Sequence, residues 1–473
     1  MQNHNIIPHP KEIKIYKKKV VVKPYYKFEN PLFLEAVHAF SEFSDKIHEL
    51  AVSPGEDGII IKEDTSIAAE AYKIEVDDKC IIYVSDTKGL NYAFATLLQI
   101  IEKVETKKPE NNHFQIPICK IYDHPEGTWR GLMVDVARKW HPTAFLFKYV
   151  DICYMLKLNR LQIHFTDDES FTLPCDSFPL LTTENRNYTK AELAAFNEYA
   201  KMRGITIVPE VDMPGHCTQF IEKYPDIFGA HGILSASEET FSALEKVYKE
   251  VIELFPDSPY IHVGGDEAVL GRWTDCEKSM EYMKKNNIKD IVELYGHYVA
   301  RITNFILSCG KTPVVWEGFH KETNHLISRD VIVISWENLY QPVTDLAEAG
   351  FTLLNCSWQP LYIVSPWTHW EASEILNWDT HMWTHYNEQS AAYNKELRIP
   401  ENTTVLGGQV CAWGDYLKNY LSGQWASKEE IKCIKPRVAA LSEKTWNLKG
   451  LHTQKSFKES FEELDKKFIN MGC

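Results

Sequence analysis

The chain is poor in the features that mark membrane, secreted and nucleic-acid-binding proteins. Its first 25 residues, MQNHNIIPHPKEIKIYKKKVVVKPY, contain no apolar run of roughly 7 to 15 residues such as a secretory signal needs. No segment approaches the about 20 consecutive apolar residues of a membrane span. A cytoplasmic protein with no membrane partner is therefore expected, unless a leader has been removed. Positive charge is scarce, with 51 Lys and Arg against 66 Asp and Glu and a formal net charge of -15. The densest basic run, Lys17 to Lys19, lies inside an apparent strand, and phosphate backbones are held mainly by Lys and Arg, so nucleic acid is excluded as the main partner. The 11 cysteines are odd in number and include no CxxC pair. Cys80, Cys356 and Cys411 sit in apolar runs, where thiols pack as small hydrophobes; this usage fits a reducing compartment.

What the chain does contain is an ordinary globular composition, 44% apolar and 25% charged, with an excess of aromatic side chains that includes 13 Trp. At 473 residues it is long enough for a small domain joined to a barrel-sized one. Residues 12–102 hold strand candidates at IKIYKKKVVV, GIIIKE, AYKIEVDD and CIIYVSD, then a helical pattern from Gly89 to Glu102, which reads as a small α+β domain. A polar stretch near 103–117 reads as a linker or hairpin. The expected division is 1–120 for this domain and 121–473 for the rest.

Beyond it, short apolar strands alternate with helical patterns. WRGLMVDV begins at 129, LQIHF at 161, ITIVPEV at 205, YIHVGG at 260, TPVVWE at 312, VIVISWE at 331, FTLLNCS at 351 and VLGGQVCAW at 405. Eight such strands suit a closed (β/α)8 barrel, though counting alone leaves a doubly wound sheet open. Helices over 427–447 and on to Phe468 would complete the outer ring.

Barrel sites are built at the C-terminal ends of the strands. Here those ends carry Asp135 and Arg138, Asp167 and Asp168, Glu210, Asp212 and His216, Asp266 and Glu267, Trp316 and Glu317, Trp336 and Glu337, Trp358, and Trp413 and Asp415. Carboxylates and Trp around one mouth suit sugar chemistry: flat rings stack on pyranose C–H faces and acids hold hydroxyls and move protons. His141, His164, His216 and His262 are too dispersed to form a metal-ligand set, and His164 and His262 alternate within strands as core residues do. No metal and no cofactor are expected.

The sharpest local signal is YIHVGGDEA, residues 260–268, where a strand runs into two glycines and presents adjacent carboxylates. A carboxyl that protonates a leaving group needs a raised pKa, which a neighbouring charge and an aromatic wall would supply. This segment resembles the catalytic signature of the family 20 glycoside hydrolases, the β-N-acetylhexosaminidases. TWRGLMVDVARKWHP (128–142), LNRLQIHFTDDESF (158–171) and ITIVPEVDMPGH (205–216) resemble the same family in order and spacing, and residues 70–100 resemble its small N-terminal domain.

That resemblance implies an exo-acting, retaining enzyme that removes terminal N-acetylhexosamine from oligosaccharides or glycoconjugates; whether it works as a monomer or homodimer stays open. It implies Glu267 as general acid and then base, and Asp266 as the group that orients the 2-acetamido nitrogen while its oxygen attacks the anomeric carbon, the substrate-assisted exception among glycosidases. By the same likeness Arg130 would grip the O3 and O4 hydroxyls with its planar fork, and Asp167 and His216 would support the acid. Tyr362 would bind the acetamido oxygen, and Trp316, Trp336 and Trp413 would wall the pocket.

Two positions depart from the family pattern. Val364 stands where an Asp is usual, and Asp415 where a Glu is usual, which leaves GlcNAc, GalNAc and substituted sugars open. The Trp-rich segment 367–383 reads equally as a lid, with Trp378 or Trp383 over the pocket, or as loop packing. The alternatives are an enzyme releasing a disaccharide such as lacto-N-biose and a silent sugar-binding protein on the same barrel.

Overall fold

A computed structural model describes residues 5–229, 232–364, 370–415 and 423–473. Residues 12–123 build a mixed sheet whose chief strands are Glu12–Val22, Ile59–Glu63, Tyr72–Val76, Cys80–Val84 and His113–Asp123. In Tyr72–Val76 and Cys80–Val84 every second residue is buried, as a sheet covered on one face requires. Helices Leu34–His48 and Thr87–Ile100 supply the cover. The second begins two residues before the Gly89 expected from periodicity because Asp86 caps it, accepting from the Gly89 N–H. It also stops short of Glu102, which opens a strand.

The stretch near 103–117 is a hairpin and not a linker: Glu102–Val104 pairs antiparallel with His113–Asp123. The longer strand runs on between Glu12–Val22 and Tyr72–Val76. A boundary at 120/121 would cut this hydrogen-bonded strand; the first sheet ends at Asp123 and the barrel opens at Trp129.

All eight expected barrel strands are present: Trp129–Asp135, Arg160–His164, Thr206–Met213, Tyr260–Gly264, Thr312–Trp316, Ile332–Ser335, Thr352–Asn355 and Val405–Trp413. Each pairs in parallel with the next, and the eighth pairs with the first through Gly407↔Trp129 to Ala412↔Val134, closing the ring. The interior is filled by large side chains, among them Met133, Val208, Val314, Trp316, Ile334 and Leu354, so it is a core and not a channel. Helices Gly423–Trp446 and Gln454–Asn470 finish the outer layer.

Between the seventh and eighth strands the chain makes a long excursion, residues 356–404. It begins with a short strand, Tyr362–Val364, that pairs with Cys411–Trp413 of the eighth strand above the point where the seventh has ended. The barrel wall is thereby extended upward on this side.

The two domains meet at the N-terminal end of the barrel through buried charges. Lys157 Nζ donates to Asp123 (2.9 Å) and to the Tyr72 hydroxyl (2.7 Å), and Trp446 Nε1 donates to the other Asp123 oxygen (2.8 Å). Beside them Arg130 donates to the carbonyls of Lys157 and Gly127 and to the Tyr92 hydroxyl, 2.6 to 2.9 Å away, with Glu70 at 3.6 Å. The 11 cysteines form no disulfide, and among the described residues no helix is long and apolar enough to cross a membrane.

Candidate active site

The exit of the fourth strand sets the geometry. Gly264 and Gly265 adopt φ of 71° and 103°, and a Cβ on Gly264 would stand 1.6 Å from Asp212 Oδ1; only glycine lets the third and fourth strand ends close together here. Asp212 accepts the Gly265 N–H (3.1 Å) and the Tyr295 hydroxyl donates to the Gly265 carbonyl. The chain then turns so that Asp266 is buried while Glu267, at φ 48°, presents a side chain that is 51% exposed. His216 shares that φ of 48°. A non-glycine residue held left-handed costs on the order of 1 kcal/mol and persists where the surroundings enforce it.

A chain of charges leads to Glu267. Asp135 accepts from the backbone of Ala137, Arg138 and Gly414 and from the Arg138 guanidinium. Arg138 in turn reaches Asp167 (2.8 Å) and Asp415 (3.4 Å). Asp167 also engages His164 Nε2 (2.8 Å) and His216 Nδ1 (3.2 Å), and His216 Nε2 lies 3.3 Å from Glu267 and 3.9 Å from Asp266. Burial opposes ionisation of both Asp167 and His216. For Asp167, His216 and Arg138 outweigh it and hold the carboxyl well below its usual range; for His216, Asp167 outweighs it and holds the imidazolium well above.

The two adjacent acids are pushed apart. Burial raises Asp266 to about 6, with Glu267 adding to the effect and His216 opposing it. Its Oδ1 has no hydrogen-bond partner. Glu267 is lowered, first by its hydrogen bond with His216. Glu267 is thus held low where a raised acid is expected, because its hydrogen bond with the His216 ring, with the His216 and Arg138 charges, outweighs burial and the charge of Asp167.

The pocket, of about 580 Å³, is lined by Arg138, Asp266, Glu267, Trp336, Glu337 and Tyr362, together with Trp358, Gln359, Val364, Trp370, Tyr386, Trp413 and Asp415. Trp336 stacks on Tyr362 (5.7 Å, 9° between planes), Trp358 meets Tyr362 edge-on at 4.4 Å, and Arg138 lies over Trp413. Glu317, buried and raised to about 7 by that burial, accepts from the backbone of Asn338 and Leu339 and the Ser335 hydroxyl, fixing the turn that carries Trp336 and Glu337.

Asp266, Glu267, Asp167, His216, Tyr362, Trp336, Trp413 and Asp415 are therefore gathered at one mouth. Four residues named as candidates for it, Arg130, Trp316, Trp378 and Trp383, are not. Arg130 is the second residue of the first strand, at the opposite end of the barrel, and serves the domain junction; Arg138, past the end of that strand, is the arginine in the pocket. Trp316 is fully buried beneath the floor, donating to Glu210 (2.6 Å). Trp378 packs against the eighth strand at Gly408, and Trp383 donates to the Ser335 carbonyl, so both pack the excursion and neither covers the pocket. Residues 367–369 of the segment lie outside the described residues. Trp358, Trp370, Tyr386 and Glu337 line the pocket without having been assigned a role; Glu337 and Trp358 were identifiable as strand-end residues, whereas Trp370 and Tyr386 depend on the path of the excursion.

Asp212, His216 and Asp266 offer ligand atoms within 4.8 Å of one another, as do His164, Glu210 and Asp212, and Asp167, Asp168 and His216. In the last set Arg138 and His164 already engage Asp167, and Thr218 engages Asp168.

The sequence profile of glycosyl hydrolase family 20, catalytic domain, matches residues 128–449, and that of family 20, domain 2, matches residues 3–124. A beta-hexosaminidase subunit beta of Entamoeba histolytica is 27% identical over 373 residues, covering 73% of this chain and 65% of the relative. A beta-hexosaminidase of Vibrio furnissii is 27% identical over 416 residues, covering 77% and 64%. The chain thus spans somewhat less than two thirds of the length of these relatives. The GH20 exo beta-N-acetylglucosaminidase of Vibrio harveyi, solved with N-acetylglucosamine, has the same fold, with a TM-score of 0.85 at 22% identity over 100% of this chain and 78% of that one.

Proposed function

The chain belongs to glycosyl hydrolase family 20, and from that premise we propose that it is an exo-acting, retaining β-N-acetylhexosaminidase that uses the substrate's own acetamido group as nucleophile. The observation that carries the reading is the adjacent pair Asp266 and Glu267, which line one pocket with Tyr362, Asp266 buried and pushed up to about 6 and Glu267 half exposed.

Asp266 accepts the acetamido N–H, and the Tyr362 hydroxyl donates to the acetamido oxygen. The oxygen attacks the anomeric carbon, the glycosidic C–O bond breaks, and the Glu267 proton passes to the leaving oxygen. The cation that forms carries its positive charge next to Asp266. A carboxylate desolvated enough to be raised to about 6 interacts more strongly with that cation than with the neutral amide, so the stabilisation is greater in the transition state than in the ground state. Glu267, now ionised, takes a proton from the water that opens the ring, and configuration is retained. Seating the sugar removes water from the half-exposed Glu267 and raises it toward the range a proton donor needs. The substrates are oligosaccharides or glycoconjugates ending in β-linked N-acetylhexosamine, and the catalytic unit is cytoplasmic.

Hydrolysis of paired aryl β-GlcNAc and β-GalNAc glycosides, with a thiazoline analogue of the cyclic intermediate as inhibitor, tests this. Release blocked by the thiazoline supports the reading and ranks the two sugars. Release that the thiazoline does not touch overturns the acetamido mechanism, and no release from either sugar overturns the exo-hexosaminidase assignment.

A further inference from the structure

Most carboxyl groups at the mouth are already engaged. Asp167 holds Arg138 and two histidines, Glu267 holds His216, and Asp415 faces Arg138. Glu337 lines the same pocket, yet among the described residues its carboxyl has neither a hydrogen bond nor an ion pair, and the charges that reach it are Glu267, Glu317 and Asp266, all acidic.

The backbone that carries it is nonetheless fixed. The Glu337 carbonyl accepts from the Ser390 hydroxyl (2.5 Å), and the N–H groups on either side, of Trp336 and Asn338, both point into Glu317 Oε2 at 3.4 and 3.0 Å. A carboxyl that lines a pocket with only repulsive charges around it in the protein awaits a partner from the ligand.

We infer that Glu337 binds a hydroxyl of the sugar on the far side of the scissile bond, and so selects a saccharide leaving group over one that lacks hydrogen-bonding hydroxyls. This rests on the role proposed for Glu267: Glu337 shares a pocket with the acid that would deliver its proton to the leaving oxygen, together with Trp358 and Tyr386. Burial, with Glu267 adding to it, lifts Glu337 to about 8. Near neutral pH it therefore offers one O–H donor and one acceptor, matching a hydroxyl that can be both. Trp358 and Tyr386 line the same pocket and give flat faces on which a second pyranose can lie.

The test compares wild type, Glu337→Leu and Glu337→Gln on two substrates with the same terminal sugar, a β-1,4-linked N-acetylglucosamine disaccharide and the nitrophenyl glycoside. The ratio of kcat/KM for the disaccharide over the aryl glycoside is expected to fall about tenfold or more in Glu337→Leu, the size of one lost buried hydrogen bond to a carboxyl. Glu337→Gln keeps a donor and an acceptor at the same reach and holds the ratio within about threefold of wild type. If wild type cleaves both substrates and Glu337→Leu leaves the ratio unchanged, or Glu337→Gln lowers it as far as Leu does, this inference is overturned. If wild type cleaves neither, the glycosidase reading itself has failed.

Discussion

The two ends of the barrel handle buried charge in opposite ways. At the N-terminal end Lys157, Asp123 and Tyr72 satisfy one another through hydrogen bonds of 2.6 to 2.9 Å, and Arg130 is met by the carbonyls of Lys157 and Gly127 and the Tyr92 hydroxyl. At the C-terminal end the Asp266 carboxyl is buried against Asp212 and pushed up to about 6, and Glu337 is reached only by the charges of other acids. The first arrangement locks two domains together, while the second leaves bonding capacity for a ligand. An orphaned buried polar group costs on the order of 1 to 3 kcal/mol, so the mouth is held in place by the stability of the rest of the barrel.

The contrast can be broken from either end. The largest expected effect is at the mouth: Glu267→Gln lowers kcat by about 10²- to 10⁴-fold on a sugar leaving group, while the melting temperature, read by calorimetry, stays near wild type because the side chain is half exposed. Next, Asp123→Ala leaves Lys157 buried and unpaired and destabilises the fold by about 3 to 5 kcal/mol, measured by urea unfolding, while kcat/KM of the folded fraction is unchanged. If Asp123→Ala altered kcat/KM instead, the two ends would be coupled and the division drawn here would be wrong.

A smaller pair separates the two arginines. Arg138→Lys, which loses the fork joining Asp135, Asp167 and Asp415, is expected to lower kcat/KM by about tenfold or more. Arg130→Lys is expected to lower the melting temperature and leave kcat/KM within about twofold.

The subtlest is a pH effect on stability. Asp266 has a folded pKa of about 6 against an ordinary 3.8, so the folded state binds the extra proton; its contribution to stability is complete below pH 3.8 and is lost as pH rises through about 6. Asn cannot ionise. Asp266→Asn should therefore be more stable than wild type by about 1 to 3 kcal/mol above pH 7, with the gain vanishing below pH 4, although it is inactive. A melting-temperature difference that does not change with pH would remove burial as the cause.

Much of this was legible in the chain. The eight strands declare themselves because each is a short apolar run between helical patterns, and the residues just past them, Asp167, His216, Asp266, Glu267 and Asp415, fall at one mouth because parallel strands share a direction. The same reasoning separates Arg138 from Arg130, since one follows the strand and the other begins it; family likeness pointed to the wrong member of the pair. Trp316 ends its strand facing inward, in the layer beneath the floor, and alternation over five residues does not reveal how deep that layer lies. The excursion of 356–404 was opaque for another reason: its path is set by contacts such as Trp378 on Gly408 and Asn355 Nδ2 to the carbonyls of Thr380 and Met382, which leave no periodic trace.

That excursion also separates two kinds of pocket residue. Glu267, His216, Asp167 and Arg138 are rooted within a few residues of barrel hydrogen bonds, whereas Tyr386, Trp370 and Gln359 ride on a segment held to the scaffold by the short strand Tyr362–Val364 and by side-chain contacts such as Trp383 to the Ser335 carbonyl. Changes in the outer part of that segment can alter what the pocket admits while Asp266, Glu267, His216 and Arg138 keep their places on the barrel.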